Sequence, residues 1–242
     1  MIVEAALAAA GRLFTPQFRA VFFKTLGLTV LVLVGLWFAI GGLVETFAFD
    51  PLVAMLPDMP AWAGWFGIVA SVLAGLALAL GLGLLIAPVT ALIAGFFLDD
   101  VAEIVERDDY PHDPPGRALP LATSALISAK FLVLVVLGNL LALVLLLVPG
   151  VNIVAFLLVN GYLLGREFFE FAAMRFRSEA EAKALRRRHA GTVFAAGLVI
   201  ALVLSVPLVN LVTPLFAAAM MVHLHKMVSA SEAASLDAGR GA

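Results

Sequence analysis

Between residues 61 and 98 the chain runs for 38 residues without a charged side chain. As one helix this stretch would be ~57 Å long at about 1.5 Å of rise per residue. A single crossing of a hydrocarbon core roughly 30 Å thick needs only ~20 residues. No soluble core of this size can hide such a run on every side, so the solvent that accepts it is a bilayer. Composition agrees: 63% of the 242 residues are hydrophobic and 13% are charged, about half the charged share of a soluble domain. The absence of cysteine excludes disulfides, thiolate metal sites and thiol nucleophiles. Residues 1–10 carry Glu4 and no Lys or Arg, which is not the pattern of a secretory signal.

A second uncharged run, 25–44, is bracketed by Lys24 and Glu45 and is long enough to cross once. The run from 61 is either one long helix, kinked at Pro88, or two crossings with a turn near Gly81. Charge placement separates these. The 15 Lys and Arg fall before the first run, after the second, in a basic stretch from Arg166 to Arg188, and at Lys226 and Arg240. One crossing puts all of them on one side, with 45–60 outside; two crossings divide them. The tendency of basic residues to stay cytoplasmic favours one crossing, with both termini cytoplasmic.

The most specific pattern lies in the second half. Val148-Pro149-Gly150-Val151-Asn152-Ile153-Val154 is echoed 58 residues later by Val206-Pro207-Leu208-Val209-Asn210-Leu211-Val212. Each copy sits midway through an apolar stretch. Proline breaks the helical ladder and disfavours helix in the residue before it, and Asn can cap the next helix start. Each copy therefore predicts helix, tight turn, helix. Most arms have 15 residues, ~23 Å by helical rise and short of the bilayer core. Re-entrant or half-crossing hairpins entering from the basic side satisfy that length; two ordinary transmembrane hairpins are the alternative. Non-helical backbone at membrane depth must be buried in protein or line a wet cavity, which makes Asn152 and Asn210 pathway candidates, with helix capping as their other role.

Taken in order, Arg12-Leu13-Phe14-Thr15-Pro16-Gln17-Phe18-Arg19, Leu85-Ile86-Ala87-Pro88, the VPGVNIV hairpin and the VPLVNLVTPL segment resemble the CysZ-type sulfate permease family of bacteria. The resemblance covers nearly the whole chain. It implies two long crossing helices, two partly penetrating hairpins, and homo-oligomers. It also implies an anion site in a short Gly-Leu-Arg-type loop before the first crossing helix, which falls on Gln17, Phe18 and Arg19. The family glycine is replaced by Gln17, and a second arginine found in some members is Ala20.

Arg19 is the candidate for anion contact. Thr15 as N-cap and Pro16 in the first turn predict a helix start whose free N–H groups favour an anion, to which Arg19 adds charge-assisted hydrogen bonds. The alternative role is a topogenic arginine at a membrane face. Arg186, Arg187 and Arg188 can gather anions at a pathway mouth or bind lipid headgroups. Phe168, Phe169, Phe171, Met174 and Phe176 predict either an interfacial helix or one packed on its own hairpin. Lys130 opens the first hairpin and can snorkel to the headgroups. Asp99, Asp100 and Glu103 are similar to the acidic motifs with which membrane prenyltransferases hold Mg²⁺, but no matching second motif follows. His223 and His225 point to different faces of a helix and make a poor metal pair.

The expectation is an all-α integral membrane protein with two long transmembrane helices plus two re-entrant or half-crossing helical hairpins. Residues 1–242 form a single membrane domain: an interfacial helix and loop over 1–24, a transmembrane helix over 25–48, and a long one over 61–106 kinked near Pro88. Hairpin 1 spans 119–165, a basic interfacial segment 166–190, hairpin 2 191–226, and a flexible tail 227–242. The expected function is uptake of sulfate or a related oxyanion across the bacterial inner membrane, by channel-like or proton-coupled permeation. No cofactor, metal, nucleic acid or enzymatic activity is expected. The alternatives are a membrane scaffold or regulatory relative that moves no solute and, more distantly, a Mg²⁺-dependent lipid-modifying enzyme.

Overall fold

The computed structural model describes residues 1–49, 64–120, 151–206 and 209–240, with scattered residues between 122 and 140. Among them the regular structure is helical throughout: α1 (Ile2–Arg12), α2 (Pro16–Val44) ending in a π turn (Glu45–Phe49), α3 (Gly64–Gly95), α4 (Leu98–Asp109), α5 (Val151–Met174), α6 (Glu179–Arg188), α7 (Ala190–Leu204), a 3₁₀ turn (Val209–Val212) and α8 (Thr213–Arg240). The chain is an all-α membrane protein. It divides into two compact units, Met1–Thr25 with Ala91–Ala242, and Leu26–Thr90.

The second unit consists of the apolar lengths of α2 and α3. Gly41 faces Leu78, and the two helices flank an open groove of about 430 Å³ lined by Trp37, Gly41, Glu45 and Ser71. Leu31, Phe38, Phe47, Trp65, Ile68 and Leu80 are all more than half exposed. A helix apolar on its uncovered faces is a helix solvated by lipid. Continuous helix from Pro16 to Phe47 has the length and composition of a span, and only 6% of its most apolar window is buried.

The first unit is built around α8. Val209–Ser235 also has the length and composition of a span, yet 83% of its most apolar window is buried. Helices α1, α4, α5 and α7 pack around it, burying Leu215, Phe216, Met220, Met221 and Leu224 with Val101, Val105, Phe169 and Ile200. The second sequence candidate for a span was 61–106; α3 covers much of it and continues through Pro88 to Gly95, and the helix breaks at Phe96 and Phe97. There the amides of Phe96 and Phe97 close on the carbonyls of Ile93 and Ala94 at 3.1 and 2.9 Å, a three-residue tightening that ends the helix before α4 begins.

Hairpin 2 takes form as α7, the turn at 205–212 and α8. Its first arm, α7, has 15 residues, ~22 Å by helical rise. It meets α6 at a 91° bend, the geometry of a broken span or a re-entrant entry. A capping box starts α6: Ser178 Oγ accepts from the Glu181 amide, and Glu181 accepts from the Ser178 amide at 2.9 Å. The second arm is longer than expected: α8 continues to Arg240, through most of the stretch expected to be a flexible tail. The tip of hairpin 1 at 148–150 and most of its first arm lie outside the described residues, as do Pro207 and Leu208. Its second arm, α5, runs on to Met174 and buries Phe168, Phe169 and Phe171. The expected interfacial segment 166–190 is thus part core helix, because those rings find protein rather than headgroups.

The two hairpins meet at a glycine crossing of α5 and α7. A Cβ on Gly197 would lie 1.9 Å from the Gly161 carbonyl oxygen, and one on Gly165 would lie 2.6 Å from that of Val193. Only hydrogen fits at these positions. The backbones therefore touch directly, the small-residue packing that membrane helices use where no hydrophobic drive separates protein from lipid.

Candidate functional site

Arg19 sits in the first turn of α2 with its side chain exposed. Among the described residues it makes no hydrogen bond or ion pair. The Arg19 amide donates to the Thr15 carbonyl at 3.0 Å, which places Thr15 at the N-cap position. The Thr15 hydroxyl, however, turns back and donates to the Arg12 carbonyl at 2.8 Å. It closes the end of α1 and leaves the amides of Gln17 and Phe18 uncapped by it. The helix therefore starts at the position expected, with a hydroxyl geometry different from the one expected.

Gln17 is exposed, but the Phe18 side chain is fully buried in the core. Phe18 can offer an anion its backbone N–H and nothing more. Around Arg19 lies a groove of about 420 Å³ lined by Leu13, Phe14, Phe18, Phe22, Phe23, Val209 and Val212. The last two come from the 3₁₀ turn of hairpin 2, which also contains Asn210. The structure thus brings the Arg19 corner and the turn of the second hairpin to one groove, although 190 residues separate them. The Asn210 amide donates to the Val206 carbonyl at 3.0 Å, so its backbone serves the turn. Asn152 is the second residue of α5; the tip it borders is outside the described residues.

The charged residues of this unit form a separate layer. Arg12 pairs with Asp108 at 2.8 Å and with Asp109, tying the end of α1 to the end of α4. His223 Nε2 is 3.5 Å from Asp109 and its Nδ1 is 3.0 Å from the Tyr110 hydroxyl. Lys226 pairs with Asp113 at 2.9 Å and lies over the Phe176 ring at 4.3 Å. From Thr213 to His223, α8 rises ~15 Å. The Arg19 groove and the His223 level thus meet α8 about half a bilayer core apart. His225 stacks on Phe176, away from His223, so the two histidines do face different neighbours.

The deepest pair of this layer was not found in the sequence. Arg175, buried to 3% exposure, donates to Glu106 through Nε at 2.7 Å and Nη2 at 3.1 Å, and through Nη1 to Asp99. Glu106 also accepts from the Gly116 amide at 2.9 Å, and the Arg117 amide donates to the Arg175 carbonyl at 2.8 Å. Two carboxylates and a carbonyl thus fold the 110–120 loop over the guanidinium. A Cβ on Gly116 would stand 2.8 Å from Glu106 Oε1 and 3.0 Å from Arg175 Nε, so a larger residue there would have to displace the ion pair. Burial pushes the Asp99 carboxyl up, against the pull of Arg175. Asp99 is thereby an anchor for Arg175, which removes it from the Mg²⁺-binding role its sequence suggested. The available signal was spacing: Asp99 and Glu106 lie two turns apart on α4, and Glu106 follows Leu98 and Ala102 on the buried face.

The family described as Sulfate transporter CysZ/Etoposide-induced protein 2.4 matches residues 5–214. No curated protein matches the chain.

Proposed function

We propose, because this chain belongs to the Sulfate transporter CysZ/Etoposide-induced protein 2.4 family, that it moves sulfate or a related oxyanion into the cell across the bacterial inner membrane, with Arg19 as the anion contact. The observation that carries the reading is the shared groove: an exposed arginine without an ion-pair partner among the described residues, beside the turn of a short-armed hairpin. A dianion entering low dielectric needs donors to replace its water. Arg19 supplies a charged fork, and the first-turn amides of Gln17 and Phe18 add the positive end of α2. Asn210, in the same turn as Val209 and Val212, is the pathway candidate next to it, and Asn152 is its counterpart in the first hairpin. The linkage of Arg12, near the start of the chain, to Asp109 and on to His223, on the last helix, supports both termini facing one side. That side is the cytoplasm by the placement of basic residues. The resemblance implies a homo-oligomer, and the route is channel-like or proton-coupled.

Radiolabelled sulfate uptake into proteoliposomes tests this. Uptake is expected above that of empty vesicles, to fall with Arg19→Ala, and to respond to an imposed proton gradient only if coupling exists. Uptake equal to empty vesicles would leave a scaffold or regulatory role in its place.

A further inference from the structure

Where hairpin 1 meets α5 and α6, a small cavity of about 120 Å³ is walled by charge of both signs. Lys130, Arg166 and Lys183 face it together with Glu167, Glu170 and Glu179. Not all of these are satisfied by one another. Glu170 is taken by Arg186 at 2.6 Å, and Lys183 by Glu179 at 2.5 Å. Arg166 Nε is left 3.6 Å from Glu167 and 3.7 Å from Glu170, beyond hydrogen-bond reach, and it is buried without a partner. A buried guanidinium N–H without an acceptor costs free energy that a bound acceptor recovers. Lys130 makes no ion pair among the described residues. The donors of the cavity with hydrogen bonds to spare are therefore Arg166, which its two carboxylate neighbours reach only at ion-pair distance, and Lys130, and what they lack is an oxygen within hydrogen-bond reach.

The surroundings identify the anion's carrier. Leu126, Val133, Leu137 and Leu140 recur with Lys130 at intervals of three and four, one face of a helix, and each is more than half exposed. An exposed apolar stripe that begins at a charged cavity is the shape of a lipid-binding surface: headgroup in the cavity, acyl chains along the stripe. The cavity wall carries as many carboxylates as cations, which suits a headgroup of zero net charge better than an anionic one. Glu167, and the Glu179 oxygen that Lys183 does not use, can accept hydrogen bonds from a primary ammonium, whereas a quaternary one has none to give.

We infer that this cavity is a binding site for a zwitterionic phospholipid headgroup of the phosphatidylethanolamine class, its phosphodiester on Arg166 and Lys130 and its ammonium on the facing carboxylates. The site is independent of the Arg19 groove.

The test is binding of short-chain lipids to the purified full-length protein in detergent, by native mass spectrometry and by shift of the unfolding temperature. The probes are dioctanoyl phosphatidylethanolamine, the phosphatidylcholine and phosphatidylglycerol analogues, and inorganic phosphate. Phosphatidylethanolamine is expected to bind about tenfold tighter than the other two lipids, as a lost charge-assisted bond set implies. Lys130→Gln, at an exposed position, is expected to abolish that preference while leaving the ligand-free unfolding temperature unchanged. Equal binding of the three lipids, a preference that survives Lys130→Gln, or binding of inorganic phosphate that phosphatidylethanolamine does not displace would each overturn the assignment. Arg19→Ala is expected to leave lipid binding intact, which separates this site from the transport reading.

Discussion

The glycine crossing of α5 and α7 makes the sharpest demand on the sequence, and Gly197→Ala tests it. The new Cβ would start 1.9 Å from the Gly161 carbonyl oxygen and 2.8 Å from the Gly165 backbone. A carbon and a carbonyl oxygen settle at 3.3 Å or more, so the two helices must separate by roughly 1.4 Å at this point. Every atom in the way is backbone, so no side chain can swing aside. Overpacking of this kind costs about 1–3 kcal/mol, and an all-backbone contact belongs at the upper end. Replacing a helical glycine by alanine returns up to ~1 kcal/mol in helix propensity, leaving a net loss of about 2 kcal/mol. For a chain of this size that lowers the unfolding temperature by roughly 4–8 °C. The assay is thermal unfolding in detergent, with Gly191→Ala as the internal control. Gly191 lies on the same helix, and a Cβ there meets nothing within 4 Å, so it should unfold no earlier than the parent. If Gly197→Ala proved as stable as Gly191→Ala, the direct backbone contact between the hairpins would be wrong. Because α7 leads into the turn beside Arg19, sulfate uptake should fall with Gly197→Ala as well.

Three further outcomes follow from the charged layer and the groove. Glu106→Ala removes two of the three side-chain hydrogen bonds of an almost fully buried guanidinium and leaves Asp99 as its partner, so it should cost about 3 kcal/mol, the lower end for a broken buried pair, whereas Glu106→Met with Arg175→Met and Asp99→Asn should recover most of it; urea or thermal unfolding of both variants decides. Arg19→Lys keeps the charge but not the planar fork, so its sulfate uptake should fall between the parent and Arg19→Ala. Burial and the neighbouring Asp109 and Asp113 push the Tyr110 hydroxyl up to about 12. The folded protein then holds this proton where the unfolded chain, near 10, has lost it. Stability from Tyr110 is complete below pH 10 and drains as the pH rises from 10 to 12. The unfolding temperature of Tyr110→Phe should therefore fall less steeply across that window than that of the parent.

What the sequence could and could not reveal divides along the same physical line. Uncharged length was legible, because a run that no globule can hide has few destinations, and α2 and α3 lie where those runs were found. The Val-Pro-x-Val-Asn repeat was legible at its second copy, since proline removes a rung of the ladder and Asn beside it favours a new start, and α7 ends at Leu204, just before it. Charge alone left the 166–177 stretch open between an interfacial helix and one packed on its own hairpin. There α5 continues to Met174, and Phe168, Phe169 and Phe171 are buried in the core. Long-range pairs were illegible for a different reason. Nothing local to Arg175 says that its partner is Glu106, 69 positions away, and nothing local to Arg19 says that Val209 will stand beside it.

Helix α8 is greasy enough to cross a membrane, yet most of its apolar window is spent on protein. A helix in lipid is held by lipid, but a helix wrapped by α1, α4, α5 and α7 is held by their side chains, and its position is only as fixed as those contacts. At the His223 level the contacts are ion pairs and buried hydrogen bonds, which resist displacement. Beyond the Thr213 end of α8, at the Val209 turn, they are van der Waals contacts around an open groove. The end of the hairpin that faces Arg19 is therefore the compliant end, and an anion that binds there meets the part of the fold that yields most easily. Clamping it provides a direct check. A Val212→Cys, Phe22→Cys pair, cross-linked by a short bifunctional reagent in this otherwise cysteine-free chain, should suppress sulfate uptake and leave the unfolding temperature unlowered. Undiminished uptake after complete cross-linking would mean that the groove is not on the anion's route.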